Sequence, residues 1–271
     1  MTIKSVGIIG SGIMGSGIAQ VAATSGFDVV LRSRKQESAE QTVAAMQKSL
    51  EKLVAKERMS QEDADAAVAR VTATSKLDDL ADCDLVIESV VEDLATKVAL
   101  FNDLDHHCKD DAILATNTST LSVIEMAVET RRPERVCGVH FFNPAPMMSL
   151  VEIIKTLVTS DETIAEVRQF AEACGKSPVE VKDRAGFIVN HLLFPYLNNA
   201  VRMLENGTAS RDDIDSAMKG GANFPMGPFA LLDLVGLDTS LSILDALYDE
   251  FRDPHYAASP MLRRMVSAGH L

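Results

Sequence analysis

The run GIIGSGIMGSGIAQ, near the amino end, has the residue types and spacing to hold a phosphate-bearing ligand. Gly10, Gly12 and Gly15 stand in the pattern G-x-G-x-x-G, directly after a strand-like apolar run and at the opening of a helix-like one. In that context Gly10 permits a tight turn, Gly12 lets a pyrophosphate approach the backbone, and Gly15 lets helix and strand pack closely. The helix start adds free N–H groups and partial positive charge. Ile13 and Met14, between the second and third glycines, are counted with the loop as cofactor-binding. The chemistry implied is the binding of a dinucleotide.

A second cluster sharpens which dinucleotide. In this fold an Asp or Glu at the end of the second strand holds the adenosine ribose hydroxyls. Here the chain reads VVLRSRKQ, with Ser33 at that position between Arg32 and Arg34. A carboxylate would repel a ribose phosphate, whereas serine and arginine bind one through charge-assisted hydrogen bonds. Strand alternation turns Arg32 away and leaves Arg34 as the phosphate partner. NADP(H) is therefore expected over NAD(H).

These residues need a scaffold, and the apolar pattern supplies it. Short apolar runs recur at Lys4–Gly10, Phe27–Leu31, Asp84–Ser89, Ala112–Asn117 and Arg135–His140, with LVEII (Leu150–Ile154) and PVEV (Pro178–Val181) extending the set. Helical stretches alternate with the first of these, which predicts an α/β fold: an N-terminal Rossmann-type doubly wound sheet. Val43, Met46, Leu50 and Leu53 mark one helix face, and Ser60 with Asp63 caps a partner helix running to about Val71. Together they form an inserted helical hairpin. After Asp183 the strand pattern stops, so a smaller all-α C-terminal domain is expected. The boundaries are 1–183 for dinucleotide binding and 184–271 for a helical substrate and dimerisation domain. The segment His191–Leu204 is apolar nearly all round, which predicts a buried helix and a homodimer formed through this domain.

Composition narrows the partners. The formal net charge is -13, which argues against nucleic acid and requires any anionic ligand to be held by local cations and backbone dipoles. No run reaches membrane-span length, so no membrane partner is expected. The first strand is expected to begin by about Lys4, so no targeting peptide is expected within the chain itself. Cys83, Cys108, Cys137 and Cys174 are far apart without a CxxC pair, as in a reducing compartment, and the cytoplasm is the expected location. His106 and His107 lack ligand spacing to other His or Cys, and no metal is expected. Lys48, Lys52 and Lys56 stand four apart beside Ser49, a basic stripe on one helix face of an acidic protein.

The motifs TNTSTLS (Thr116–Ser122), HFFNPAP (His140–Pro146), LVEII, DRAGFIVN (Asp183–Asn190) and PMGP (Pro225–Pro228) follow the glycine loop in that order. With it, the chain resembles the 3-hydroxyacyl-CoA dehydrogenase family along essentially its whole length, most of all the bacterial branch acting on 3-hydroxybutyryl-CoA. The resemblance implies reversible hydride transfer between the cofactor and the 3-hydroxy or 3-oxo carbon of a short acyl-CoA. It makes His140 the general base and acid, a role imidazole suits because it titrates near neutrality. Glu152 matches the histidine's carboxylate partner, and Ser119 and Asn190 match the hydrogen-bond partners of the reacting oxygens. Glu92, Lys97, Asn117 and Asn143 are implied near the cofactor, and Ser49 and Lys56 at the CoA phosphates. Read without the family, Glu92 is a helix-start acid and Lys97 a surface lysine.

The chain departs from the family in having His191 where arginine usually follows Asn190. Relatives also continue into a glycine- and lysine-rich tail ending in aromatics, so a further segment is expected beyond Leu271. Two other readings share the glycine loop. One is a dehydrogenase of a free hydroxy acid or sugar acid, which lacks the CoA-binding hairpin. The other is a non-catalytic NADP(H)-binding protein, against which the intact set Ser119, His140, Glu152 and Asn190 argues.

Overall fold

The computed structural model describes residues 3–271 as two compact units, the first ending at Asp183 and the second spanning Arg184–Leu271. The first contains the strands β1 (Ser5–Ile9), β2 (Asp28–Arg32), β3 (Val71–Thr74), β4 (Leu85–Glu88), β5 (Ile113–Thr116), β6 (Val136–Phe141), β7 (Leu150–Lys155) and β8 (Ser177–Lys182). Its helices are α1 (Ile13–Thr24), α2 (Gln36–Ala55), α3 (Gln61–Ala69), α4 (Leu94–His107), α5 (Val123–Ala127) and α6 (Asp161–Ala173). All eight strands form one sheet in the order β3-β2-β1-β4-β5-β6-β7-β8.

The strands from β1 to β6 pair in parallel. Helices cover both faces of such a sheet, so the strands read as unbroken apolar runs; β4, β5 and β6 are buried at every position. The strand order reverses between β1 and β4, which opens a crevice at the carboxyl ends of the strands. The sequence predicts the helical hairpin, and α2 and α3 form it. It also predicts helix up to Val71, whereas α3 ends at Ala69 and Val71 opens β3. The order is mixed at the far edge: β7 runs antiparallel to β6, and β8 parallel to β7 after the α6 crossover.

The second unit is helical: α7 (Val189–Glu205), α8 (Arg211–Ala222), α9 (Pro228–Val235), α10 (Leu237–Phe251) and α11 (Pro260–Ser267). Phe194, Leu197, Leu232, Leu244 and Leu247 form the centre of its core. Buried Asn198 ties α7 to the approach to α11, donating to the Ala257 carbonyl and accepting from the Ser259 N–H. His191 packs edge-on to Phe251 and lies 2.9 Å from the Tyr256 hydroxyl. The face of α7 expected to be buried all round leaves Leu192 68% and Met203 43% exposed, and Leu234 of α9 is 70% exposed.

Candidate active site

The glycine loop joins β1 to α1 beside the crevice. Gly10 has φ 122°, and a Cβ there would lie 2.2 Å from the Ser89 carbonyl oxygen at the end of β4. A Cβ at Gly15 would lie 2.0 Å from the Gly10 carbonyl oxygen. Both positions are closed to larger residues by backbone, which does not give way. Gly12 differs, because a Cβ there would meet no atom within 4 Å. Protein packing does not require glycine at this point, and the open space leaves clearance for a ligand's phosphates. The α1 start carries no side-chain cap and no acid in its first turn, so its N–H groups and dipole are available to an anion.

A cleft of about 430 Å³ runs from this loop along α2, lined by Ser11, Gly12, Ile13 and Ser16 on one side and by Ser38, Gln41, Thr42 and Ala45 on the other. The α2 residues recur at three- and four-residue steps, so the same helix face continues to Ser49, Lys52 and the C-cap residue Lys56. Among the described residues none of Lys48, Lys52 and Lys56 is ion-paired. At the end of β2, Ser33 is buried and its hydroxyl lies 2.9 Å from that of Ser11. Arg32 turns toward the Ser75 carbonyl, and Arg34 stays exposed. The donor set therefore fits a dinucleotide: glycine clearance, a free helix start, hydroxyls and one exposed guanidinium.

The second cluster forms where β5 and β6 end. His140 of β6 and Glu152 of β7 are register partners across the antiparallel pair, so their side chains share one face of the sheet. His140 Nδ1 lies 2.8 Å from Glu152 Oε2, with the two residues 4% and 0% exposed. A carboxylate only accepts, so Nδ1 carries the proton and Nε2 presents its lone pair. Ser119 Oγ lies 3.1 Å from that Nε2. Asn117, at the end of β5, accepts the Phe141 N–H at 2.8 Å and so fixes the strand end that carries His140. The β6–β7 hairpin leaves Asn143 exposed.

The Ser119 loop is gripped from two sides. Glu92 Oε1 accepts the N–H groups of Ser119 at 2.9 Å and Thr120 at 3.3 Å, together with the Thr118 hydroxyl. The Asp183 carboxylate accepts the N–H groups of Val123 and Ile124 at the start of α5. Lys97 corrects the bare reading of its sequence: it is 1% exposed, with its ammonium 2.6 Å from Glu88 and 3.4 Å from Glu92. Glu88 and the capping role of Asp183 escape sequence reasoning, because an acid at a strand end reads as a polar terminus. Asn190 stands in the first turn of α7, in the second unit.

A glycine loop at the reversal point of a doubly wound sheet, with a histidine–carboxylate pair at the same strand ends, defines a Rossmann-type oxidoreductase. The comparisons with known proteins agree. The 3-hydroxyacyl-CoA dehydrogenase NAD binding domain matches residues 5–184, and the C-terminal domain of the same family matches residues 186–271. The chain belongs to the 3-hydroxyacyl-CoA dehydrogenase family.

It is 48% identical over 264 residues to the 3-hydroxybutyryl-CoA dehydrogenase of Clostridioides difficile, covering 97% of this chain and 94% of that protein. The human mitochondrial hydroxyacyl-coenzyme A dehydrogenase is 43% identical over 272 residues, 98% of this chain and 87% of its own length. The crystal structure of (S)-3-hydroxybutyryl-CoA dehydrogenase from Ralstonia eutropha superposes with a TM-score of 0.96 at 42% identity, covering 98% of this chain and 94% of that one.

Proposed function

We propose that the protein is an L-3-hydroxyacyl-CoA dehydrogenase acting reversibly on short acyl-CoA thioesters, with 3-hydroxybutyryl-CoA and acetoacetyl-CoA as substrates. The observation that carries this reading is the His140–Glu152 pair with the Ser119 hydroxyl at the second imidazole nitrogen, Nε2. A nicotinamide cofactor, when bound, would supply the hydride acceptor for oxidation and the donor for reduction. His140 Nε2 takes the proton of the 3-hydroxyl, and the protonated ring returns it in the reverse direction. Glu152 holds the ring in the required tautomer and stabilises the imidazolium. Ser119 orients the reacting oxygen, and Asn190 is assigned the same task from the family motif.

The glycine loop, with Ile13 and Met14, would hold the pyrophosphate, and Glu92, Lys97, Asn117 and Asn143 would serve the cofactor toward the nicotinamide. Ser49 and Lys56 take the CoA phosphates at the continuation of the α2 face. The preferred cofactor is NADP(H): no carboxylate stands at Ser33, and Arg34 is exposed beside it. The exposed apolar side chains Leu192, Met203 and Leu234 support a homodimer through the helical unit. All four cysteines are free and buried, and burial pushes the Cys137 thiol up to about 12, in keeping with a reduced cytoplasmic protein.

The deciding experiment is oxidation of NADPH by acetoacetyl-CoA, run beside NADH and beside free acetoacetate. Turnover of the thioester with little of the free acid is expected. Activity on the free acid alone would replace this reading with a free hydroxy-acid dehydrogenase, and a higher kcat/KM with NADH would overturn the cofactor assignment.

A further inference from the structure

Glu88 ends β4 with 0% exposure, and two of the three hydrogen bonds its carboxylate accepts, from Lys97 and Thr116, lead toward the loop that carries Ser119. Its Oε1 accepts from Lys97 Nζ at 2.6 Å and from the Val90 N–H at 2.6 Å, and its Oε2 accepts from the Thr116 hydroxyl at 2.8 Å. Two routes run outward from there. Thr116 Oγ1, donating to Glu88, accepts the Thr118 N–H at 3.2 Å. Lys97, between Glu88 and Glu92, holds the carboxylate that gathers the Ser119 and Thr120 N–H groups. Both routes converge on residues 118–120.

We propose that Glu88 is a positioning residue for the reaction: the buried anchor of a Glu88–Lys97–Glu92 chain that sets the Ser119 hydroxyl against His140. The physical case is one of cost. Removing a carboxylate and an ammonium from water carries a desolvation penalty that their attraction rarely exceeds, so an apolar filling would serve stability at least as well. A charged chain fixes what apolar packing leaves loose, namely the direction of each bond. Lys97 has two carboxylates on one ammonium, so Glu92 is held in place from behind while its other oxygen grips the loop. Without Glu88, Lys97 is left to Glu92 alone, and the loop loses both its charged brace and the Thr116 contact.

This inference rests on the function proposed above, and its test separates the two. Glu88→Gln keeps the shape and removes the charge. Its kcat is expected to fall about tenfold or more, with little change in cofactor KM, because a displaced group costs orientation rather than binding. In the Ser119→Ala background the same substitution is expected to cost less than about twofold, since the two act through one hydroxyl. In the free protein, the His140 imidazole NMR signal, identified by its loss in His140→Ala, should move in Glu88→Gln toward its position in Ser119→Ala.

Additive losses with an unmoved imidazole signal would overturn the proposal. Should Glu88→Gln fail to fold, Glu92→Gln, whose side chain is 40% exposed, carries the same cycle and the same two readouts. If the wild-type protein turns over no thioester, the proposed function fails while the imidazole signal still decides the positioning claim.

Discussion

His140 and Glu152 are joined by backbone as well as by side chains: their Cα atoms are register partners in β6 and β7, and their side chains meet at 2.8 Å. The strand pairing therefore aims the carboxylate at the imidazole. His140→Ala is expected to lower kcat roughly 10²–10⁴-fold while cofactor affinity stays nearly intact. Glu152→Gln keeps the register but removes the negative charge and adds an amide donor that can select the other tautomer, and a fall of about 10²-fold or more is expected. Steady-state kinetics with acetoacetyl-CoA, beside cofactor titration, checks both.

The proposed preference for NADP(H) rests on Ser33 and Arg34. Ser33→Asp places a carboxylate where a ribose phosphate would sit, and Arg34→Ala removes the exposed guanidinium. Each is expected to lower kcat/KM with NADPH by about tenfold or more, and Ser33→Asp is expected to raise the value with NADH. Unchanged cofactor ratios in both variants would remove Ser33 and Arg34 from the specificity account.

The basic stripe of α2 and its C-cap is the proposed site of the CoA phosphates. Replacing Lys48, Lys52 and Lys56 by Gln is expected to raise KM for acetoacetyl-CoA several-fold, by about 3- to 10-fold at low salt and less at high salt, since exposed charges are screened. A truncated pantetheine thioester should show little change. Equal effects on both substrates would indicate general damage to the hairpin.

Asp84 dictates part of the acid stability. Burial alone would push its carboxyl up, but hydrogen bonds from the Lys109 ammonium and from the Ser5 and Lys4 N–H groups outweigh it and hold the value at about 2. A folded value below the unfolded one contributes stability that is complete above pH ~4 and is lost as pH falls toward 2. The contribution is about 2 kcal/mol, and Asp84→Asn should remove it at neutral pH and flatten the acid limb. The chain has no tryptophan, so urea melts followed by far-UV circular dichroism at a series of pH values supply the measurement.

Much of this arrangement was readable in the chain. Buried parallel strands are continuous apolar runs, which is why β1, β4, β5 and β6 stand out; β3 does not, being four residues at an edge with only Thr74 buried. The reversed direction of β7 carries a signal in loop length: eight residues separate Phe141 from Leu150, too few for a crossover helix and enough for a hairpin. The pairing of Glu88 with Lys97 has no such signal. The two residues lie nine positions apart on different elements, and only the fold brings them within 2.6 Å. The Ser33 substitution, by contrast, is a local deviation from a local motif and is visible without any structure.

Side chains on a strand alternate between its two faces, so sliding β7 by one residue past β6 would send Glu152 to the opposite side and bring Val151 or Ile153 level with His140. Such a molecule would keep its helices, its sheet and its glycine loop while losing the carboxylate partner of His140. Turnover thus doubles as an assay of hairpin alignment: in a refolded sample, the active fraction counts the chains that threaded these two strands correctly, a distinction that bulk secondary-structure spectra do not make.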